Sequence, residues 1–372
     1  MLNAAPGGAD AESQGPRRGS GEKKWRAQAD EDRLRRRGGA WGGAAASAAA
    51  ASPMTASAPR PSLMTEPSLY SCFDFRLRSE IALDEIGRAD DPADARPIVE
   101  IRLGPVPERL PGGGERLYGL QAAGDDALLI VENTARYLVR GGREILVEPL
   151  PGSSERNRRL FLLGSALGIL CHQRGLLPLH ANAIVVESGA YAFAGPTGAG
   201  KSTLAAYFAR AGYPVLCDDV CVIDVGHEGG PVAWPGLPRL KLWGDASRAF
   251  GHDSRELDPV IDGMDKYHVK LAAQREPRPI PFRRLYLLGR AEAGAEPEIA
   301  PLRGRAAMEA IMAQTYRALY LPVLGLSSRH FLQCAALAGR IQVYTAARAW
   351  GYEQFDREAG RLARHLLEEF SE

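Results

Sequence analysis

Residues 195–202 carry the strongest chemical signal in the chain. They read Gly-Pro-Thr-Gly-Ala-Gly-Lys-Ser and match the spacing G-x-x-x-x-G-K-[ST]. Glycines let the backbone approach phosphate oxygens closely, and backbone N–H groups with the following helix N-terminus form an anion cradle. The lysine would reach the β- and γ-phosphates of a nucleotide, and the serine hydroxyl would bind Mg²⁺. The residues predicted to bind ATP and Mg²⁺ are Gly195, Pro196, Thr197, Gly198, Ala199, Gly200, Lys201, Ser202 and Thr203.

The segments on either side of this loop support the prediction. Residues 190–194 read Ala-Tyr-Ala-Phe-Ala and predict a strand, and residues 202–210 predict a helix. Leu204 and Phe208 share one face of that helix, and Gly212 is placed to end it. Strand, glycine loop and helix follow one another in the order that a phosphate-binding loop requires.

Two adjacent carboxylates, Asp218 and Asp219, follow the loop and its helix. They lie within residues 213–225, an apolar stretch that predicts one continuous strand passing close to the loop. One carboxylate could hold Mg²⁺ and the other could accept a proton from an attacking hydroxyl. The alternative is a surface turn, in which Asp pairs are common. The apolar residues on both sides favour the functional interpretation.

His180 precedes a predicted β-hairpin of residues 183–187 and 190–194, joined by a two-residue loop at 188–189. Extrapolating the pairing of that hairpin puts His180 level with Thr197. The imidazole would then lie beside the glycine loop, within reach of phosphate or of the acid pair. The alternative is a buried histidine whose ring nitrogens bond to the backbone.

The elements that must position these residues divide the chain into three segments. Residues 1–63 contain almost no large aliphatic side chains, which predicts a disordered tail or translated sequence upstream of the true start. Residues 64–150 predict a small β-rich domain, and residues 151–372 predict the catalytic domain. Strands are predicted at 98–103, 117–121, 127–131, 137–139, 145–147, 267–271, 282–288 and 341–344, and further helices at 155–175, 306–320, 328–337 and 352–370.

Composition excludes several classes of function. With 46 basic and 45 acidic residues the net charge is +1, which gives no general attraction to nucleic acid or to an anionic membrane. The longest apolar run, at 160–171, is too short to span a bilayer. The five cysteines are odd in number and irregular in spacing, which argues against a disulfide framework and favours the reducing cytoplasm. Cys217 and Cys221 have no matching second pair that would indicate a zinc site.

The run Leu179-His180-Ala181-Asn182-Ala183, the glycine loop and the run Asp218-Asp219-Val220 together resemble the catalytic domain of HPr kinase/phosphorylase. The resemblance implies an α/β fold in which the phosphate loop belongs to a kinase core related to phosphoenolpyruvate carboxykinase. That core is a mixed sheet with helices, here preceded by the small β-rich domain.

The resemblance also implies roles for the site residues. Asp218 would be the general base that activates a serine hydroxyl, and Asp219 would assist either with the metal, together with Ser202, or with orientation. His180 matches the histidine that the family places near the base, and Lys201 would stabilise charge on the transferring phosphoryl group.

One departure from the family narrows the expected substrate. The downstream signature of the bifunctional enzymes, of the type Leu-Asn-Leu-Pro-Val…Pro-Gly-Arg-Asn, is not found, which argues against the reverse reaction and against HPr as substrate. The β-rich segment and the runs at 179–182 and 238–243 are more similar to HPr-kinase-like proteins encoded beside lasso peptide genes. Those are similar to kinases that phosphorylate the C-terminal serine of a precursor peptide.

The predicted function is therefore an ATP-dependent serine kinase acting on a peptide or small protein, either a lasso peptide precursor or an HPr-like protein. Other hypotheses are a nucleotide-binding regulatory module and a kinase of small molecules. Oligomeric state stays open, a homo-oligomer included. The residues considered for contacts with phosphate or a peptide carboxylate, or else as solvated surface charges, are Arg239, Lys241, Lys266 and Lys270.

Overall fold

The computed structural model describes residues 67–89, 91, 93–237, 239–250, 257–261, 264–270, 278–291, 296–349 and 352–367. The predicted tail at 1–63 and residue Pro238 lie outside the described residues. Leu63–Glu372 group into one unit. The domain boundary expected at residue 150 stays a prediction.

The first part of the described chain forms a seven-stranded mixed sheet. Its strands are β1 (Ser68–Cys72), β2 (Phe75–Ser79), β3 (Ile98–Leu103), β4 (Leu120–Ala123), β5 (Asp126–Val131), β6 (Ala135–Arg140) and β7 (Glu144–Pro149). They are ordered β1-β2-β3-β7-β6-β5-β4, with β3 parallel to both of its neighbours. The strand predicted at 117–121 begins only at Leu120. Tyr118 and Gly119 have φ of +54° and +79°, outside the extended region.

The helix predicted at 155–175 is present, but its middle turn is not α-helical. It consists of α1 (Glu155–Phe161), a π-helical turn (Leu162–Ala166) and α2 (Leu167–Gln173). A Cβ on Gly164 would lie 3.1 Å from the hydroxyl of Tyr316, and a Cβ on Gly168 would lie 3.1 Å from its ring. The glycine of the wider π turn and the glycine of α2 thus admit a tyrosine from a distant part of the chain.

The rest of the described chain adds twelve strands and five α-helices. The strands are β8 (Leu177–Leu179), β9 (Ala181–Val186), β10 (Gly189–Ala194), β11 (Val215–Cys217), β12 (Cys221–Asp224), β13 (Val232–Trp234), β14 (Arg239–Trp243), β15 (Asp258–Pro259), β16 (Lys266–Lys270), β17 (Ile280–Arg290), β18 (Glu298–Leu302) and β19 (Gln342–Arg348). The helices are α3 (Lys201–Arg210), α4 (Gly244–Ala249), α5 (Gly304–Ala313), α6 (Ser327–Ala338) and α7 (Tyr352–Leu367).

Nine of these strands form the sheet that carries the glycine loop. The order is β11-β9-β10-β17-β13-β12-β8, and β19 and β18 extend it from β17. Because β10, β17 and β19 run parallel, their C-terminal ends meet at one edge, and the chain leaves β10 there to form residues 195–200. The strand predicted at 282–288 is the central part of β17, and the one predicted at 341–344 covers only the first three residues of β19, which begins at Gln342 and continues to Arg348.

The hairpin of β9 and β10 is present, but its predicted register is wrong. Val186 pairs with Gly189, so the loop is Glu187-Ser188 rather than residues 188–189. Glu187 takes a positive φ of +51°, a conformation that glycine adopts more readily. Extended by the observed pairing, the hairpin would put His180 level with Gly195, not with Thr197. Each residue of β9 thus pairs two residues earlier in β10 than predicted. Because the shift is an even number of residues, every side chain keeps its predicted face of the sheet.

The strand predicted at 213–225 is not continuous. It divides into β11 and β12, and Asp218 and Asp219 form a bend between the two. Asp219 adopts φ of +71°, which no strand residue can keep. The acid pair therefore lies in a turn, as the alternative interpretation had it, but Asp218 is only 8% exposed, so it is not the surface turn of that interpretation.

A three-stranded sheet, β14-β16-β15, packs on the core beside this bend. Leu240 and Leu242 are buried from one face of β14, whereas Lys241 and Trp243 lie on the other face. The strand predicted at 267–271 is β16, which begins one residue earlier, at Lys266. Residue 271 lies outside the described residues.

The C-terminal helices depart from prediction at one place. The helix predicted at 306–320 ends at Ala313, and Ala318–Tyr320 form a separate 3₁₀ turn, because Arg317 has φ of +55°. The helices predicted at 328–337 and 352–370 are α6 and α7. Among the described residues no helix has the length and apolar character needed to cross a membrane.

Candidate active site

The loop between β10 and α3 has the backbone shape that its glycines predict. Gly195, Gly198 and Gly200 have φ of +147°, +82° and +78°. A Cβ on Gly195 would lie 2.6 Å from the carbonyl oxygen of Leu288 in β17, so that position cannot accept a side chain without movement of the sheet. The loop is thus held close against the parallel strands, as an anion cradle at a helix N-terminus requires.

The remaining residues of the predicted nucleotide site occupy distinct places. Pro196, Thr197 and Gly198 are exposed at the crest of the loop, whereas Ala199 is 1% exposed beneath it. Thr203 lies partly buried in the first turn of α3.

The Lys201 ammonium lies over the loop. It donates to the carbonyl oxygens of Gly195 at 2.9 Å and Pro196 at 3.4 Å. The charge is therefore held directly above the loop, where an anion seated on the backbone N–H groups would meet it.

Asp218 is the residue that links the acid pair to the loop. Its Oδ1 accepts a hydrogen bond from the Ser202 hydroxyl at 2.9 Å, and its Oδ2 accepts one from the backbone N–H of Lys241 at 2.7 Å. Nδ2 of Asn182 lies 3.5 Å from Oδ1. Burial raises the pKa of the Asp218 carboxyl, and the neighbouring Asp219 charge raises it further. A carboxylate whose pKa is moved toward neutrality suits proton transfer.

Asp219 has the opposite electrostatic character. Its Oδ2 lies 2.6 Å from the Lys241 ammonium, and its Oδ1 lies 3.4 Å from Nδ1 of His180. Burial raises the pKa of Asp219, but the charges of Lys241 and His180 outweigh burial and hold this pKa well below its ordinary value. Asp219 therefore stays ionised, and the two neighbouring carboxylates are electrostatically distinct.

His180 lies beside the acid pair, and its ring contacts the backbone of Asp219 as well as the carboxylate. Its Nδ1 lies 3.0 Å from the carbonyl oxygen of Asp219, closer than the carboxylate. The side chain is 35% exposed, so the ring is not a fully buried structural histidine. The ring of Tyr316 lies beside it, with centroids 6.1 Å apart.

One interruption in strand pairing brings these groups together. β8 pairs with β12 through Leu179 and Cys221, and β9 pairs with β11 through Ala183 and Cys217. Between these two pairs the segments 180–182 and 218–220 lie opposite each other but are not paired with each other. Side chains occupy this gap, among them the three that could do chemistry, His180, Asp218 and Asp219.

Among the basic residues considered from sequence, Lys241 is the one that contacts the acid pair. Arg239 lies 3.6 Å from Glu85 and is only 6% exposed. Lys266 lies over the Trp243 ring, 5.5 Å from its centroid. The side chain of Lys270 lies outside the described part of the structure.

Sequence reasoning missed two residues of this neighbourhood. Arg317 adopts a left-handed backbone, rare for a non-glycine residue, and the charge of Asp219 is among the charges that act on its guanidinium. Glu85 comes from the loop after β2 and lies 2.9 Å from Arg159 as well as near Arg239. Neither has a local sequence signal, because both reach the site through long-range packing.

A pocket opens on the acid pair and is amphipathic. Its charged wall is formed by Asp218, Asp219, Arg239 and Lys241, and its remaining wall by Phe73, Leu160, Leu163, Gly164, Val220 and Leu237. The apolar wall comes mainly from the π-helical region and the first sheet. A group placed here would meet both carboxylates without displacing the glycine loop.

The donors in the cleft fit a hard divalent cation. A hydroxyl and carboxylate oxygens are the ligands that Mg²⁺ prefers, and Ser202 with Asp218 places two of them 2.9 Å apart. Asp219 is adjacent but bonded to Lys241. The described residues contain no cluster of three or more His, Cys, Asp or Glu side chains placed to hold a metal by themselves.

Comparison with known proteins gives matches among solved structures only. No family model and no curated protein matches the chain. Solved structures do match, among them the HPr(Ser) kinase/phosphatase from Coxiella burnetii. It is 14% identical, and the match covers 51% of this chain and 98% of that chain with a TM-score of 0.26. A TM-score this low carries no argument about fold or function.

Proposed function

We propose that the chain is an ATP-dependent kinase that transfers the γ-phosphoryl group to a hydroxyl. The observation that carries the proposal is the contact between Asp218 and Ser202, because it sets a carboxylate of raised pKa at the first turn after a glycine loop. A phosphate loop alone would serve any nucleotide-binding protein. A carboxylate suited to accept a proton, next to the predicted phosphate site, indicates transfer.

In the proposed reaction the backbone N–H groups of the glycine loop bind the triphosphate, and Lys201 offsets its charge. Ser202 and a carboxylate of the acid pair would hold Mg²⁺, which would supply positive charge against the charge that develops in the transfer. Asp218 accepts the proton of the acceptor hydroxyl. The acceptor oxygen then bonds to the γ-phosphorus while the bond to the bridging oxygen breaks, and ADP leaves with that electron pair.

The proposed acceptor is a serine in a peptide or a small protein. The amphipathic pocket supports an acceptor that presents a hydroxyl to Asp218 and apolar atoms to Leu160 and Leu163. The narrower proposal, the C-terminal serine of a lasso peptide precursor, rests on the sequence resemblance, and HPr is the alternative from the same resemblance. The proposed location is the cytoplasm, where ATP is present and the five cysteines, all free and buried, would stay reduced.

The test is Asp218→Asn with γ-labelled ATP and two acceptors, a serine-ended peptide and HPr. We expect transfer to fall by about 10²–10⁴-fold, the usual contribution of a general base, while ATP still binds. Asp224→Asn is the matched control, because Asp224 is a carboxylate of β12 that accepts the N–H of Gly226 at 2.9 Å. Undiminished transfer by Asp218→Asn would remove Asp218 from the mechanism.

A second candidate is a nucleotide-binding regulatory module that does not transfer phosphate. The observation that favours it is the Lys201 ammonium, which donates to the carbonyl oxygens of its own loop. Tight ATP binding without labelled product, tested against all cellular proteins, would support this candidate over the kinase.

A further inference from the structure

Arg348 lies directly behind the glycine loop, at the end of β19. Because β19 and β10 both run parallel to β17, the last residue of β19 reaches the edge where the loop leaves β10. Arg348 is 6% exposed, and its Nη2 donates to the carbonyl oxygen of Ala199. The same Nη2 would lie 3.2 Å from a Cβ on Gly200, so the guanidinium and the loop are in direct contact.

The C-terminal helix places charged groups near this arginine. Burial lowers the pKa of Arg348, and the charge of Glu358 in α7 opposes that shift. Glu358 is only 3% exposed and lies 3.3 Å from Nη2 of Arg361. Arg361 in turn donates to the carbonyl oxygen of Ala347, beside Arg348, at 2.9 Å. The carboxylate of Glu358 thus compensates part of the cost of burying the guanidinium, and Arg361 ties α7 to the end of β19.

The contact has a consequence for the backbone of the loop. In a trans peptide the C=O and the N–H point in opposite directions. Arg348 holds the Ala199 carbonyl on its own side, so the N–H of Gly200 points away from it. An anion cradle needs its N–H groups inward and its carbonyls outward. A guanidinium bonded to the carbonyl also polarises the peptide and strengthens that N–H as a donor.

We propose that Arg348 is a positioning residue for phosphate binding, which sets the Ala199–Gly200 peptide so that its N–H faces the triphosphate. Arg348 acts through the loop and does not itself touch the nucleotide. The proposal rests on the proposed ATP binding at residues 195–203. Under this proposal the affinity for the β- and γ-phosphates also depends on Arg348, which lies 148 positions after Gly200 in the sequence and near the charges of α7.

The test compares ATP with AMP, which keeps the base and ribose but lacks the β- and γ-phosphates. Binding of each is measured by calorimetry for the wild type, Arg348→Met and Arg348→Lys. We expect Arg348→Met to weaken ATP binding about tenfold to a hundredfold, the value of a hydrogen bond from a charged group, with AMP binding changed little. Arg348→Lys, which retains the charge and one donor, should lie between.

Arg174→Met is the matched control for loss of a partly buried arginine. Arg174 donates to the carbonyl oxygen of Gly142 at 3.2 Å and pairs with Asp74, and none of these residues belongs to the loop. It should leave both affinities unchanged. A merely structural role for Arg348 would lower the melting temperature and weaken both nucleotides alike.

The outcomes separate the two proposals. If the wild type binds no ATP, the proposed function itself fails. If the wild type binds ATP and Arg348→Met keeps the same preference for ATP over AMP, the inference about Arg348 is wrong. Should Arg348→Met not fold, Arg348→Lys decides, since an unchanged preference in that variant overturns the inference equally.

Discussion

The pair of Lys241 and Asp219 allows the most detailed prediction. Nζ of Lys241 and Oδ2 of Asp219 lie 2.6 Å apart, which corresponds to about 6 kcal/mol of attraction at an effective dielectric constant of about 20. Desolvation offsets much of this attraction, and removing one partner of a fully buried pair costs about 3–5 kcal/mol. The two side chains keep 13% and 27% exposure, so water screens the pair in part. We therefore expect Lys241→Met to destabilise the fold by about 2–3 kcal/mol at pH 7.

The pH dependence of this loss follows from the shifted pKa. The pKa of Asp219 is held below its ordinary value in the folded state, so the unfolded chain binds a proton first as the pH falls. The contribution of the pair is complete above about pH 5 and declines as the pH falls below the ordinary Asp pKa of about 4. The difference between wild type and Lys241→Met should therefore be constant from pH 8 to 5 and shrink below pH 4.

Urea unfolding at a series of pH values measures this difference. Lys266→Met is the control, because Lys266 is a cation of the same small sheet that lies over Trp243 and acts on Asp219 only from a distance. It should cost less than Lys241→Met. Equal stability of wild type and Lys241→Met at pH 7, or a difference that persists undiminished to pH 3, would refute the electrostatic account of the acid pair.

Two further predictions concern the pocket and acid stability. Gly164→Ala should raise the KM for the acceptor about fivefold, equivalent to about 1 kcal/mol of lost contact, and leave the KM for ATP unchanged, because Gly164 lines the pocket. Gly168→Ala presses on the same Tyr316 side chain from outside the pocket, so an equal KM effect in both variants would contradict this assignment. Burial lowers the pKa of His172 to about 4. As the pH falls, the unfolded state therefore binds the proton first, and the folded state becomes less stable. Urea unfolding should show that the free energy of unfolding falls by up to about 1.4 kcal/mol per pH unit between about pH 6.5 and 4. His172→Gln should reduce this slope. Equal slopes in the wild type and the variant would contradict the reasoning.

The sequence predicts the glycine loop well because every determinant of that loop is local. Strand, loop and helix follow one another within residues 189–210, and the positive φ angles fall on glycines. Helix α3 begins one residue before its predicted start. The same locality explains why most strands of the first sheet lie where alternation places them.

The sequence left two interpretations of the acid pair open. Val215 and Val222 carry the apolar pattern of one continuous strand, whereas two adjacent aspartates are typical of a turn, and the structure has a turn with Asp219 in a left-handed conformation. The partners of the pair come from elsewhere, since Lys241 belongs to a separate sheet and His180 to the segment before β9. Strand β13 was also missed, because its three residues are too short for a periodic pattern.

The gap between β8–β12 and β9–β11 also bears on how such a site can change over time. Paired strands on both sides keep the two segments aligned, whatever side chains the gap contains. The freed backbone is satisfied elsewhere, since the N–H of His180 donates to Gln314 at 2.7 Å and that of Val220 to Asp218 at 2.9 Å. Substitutions among residues 180–182 and 218–220 can therefore alter reactivity while the alignment of the strands is preserved. A lineage carrying this fold could acquire a new chemistry at this place without having to acquire a new fold.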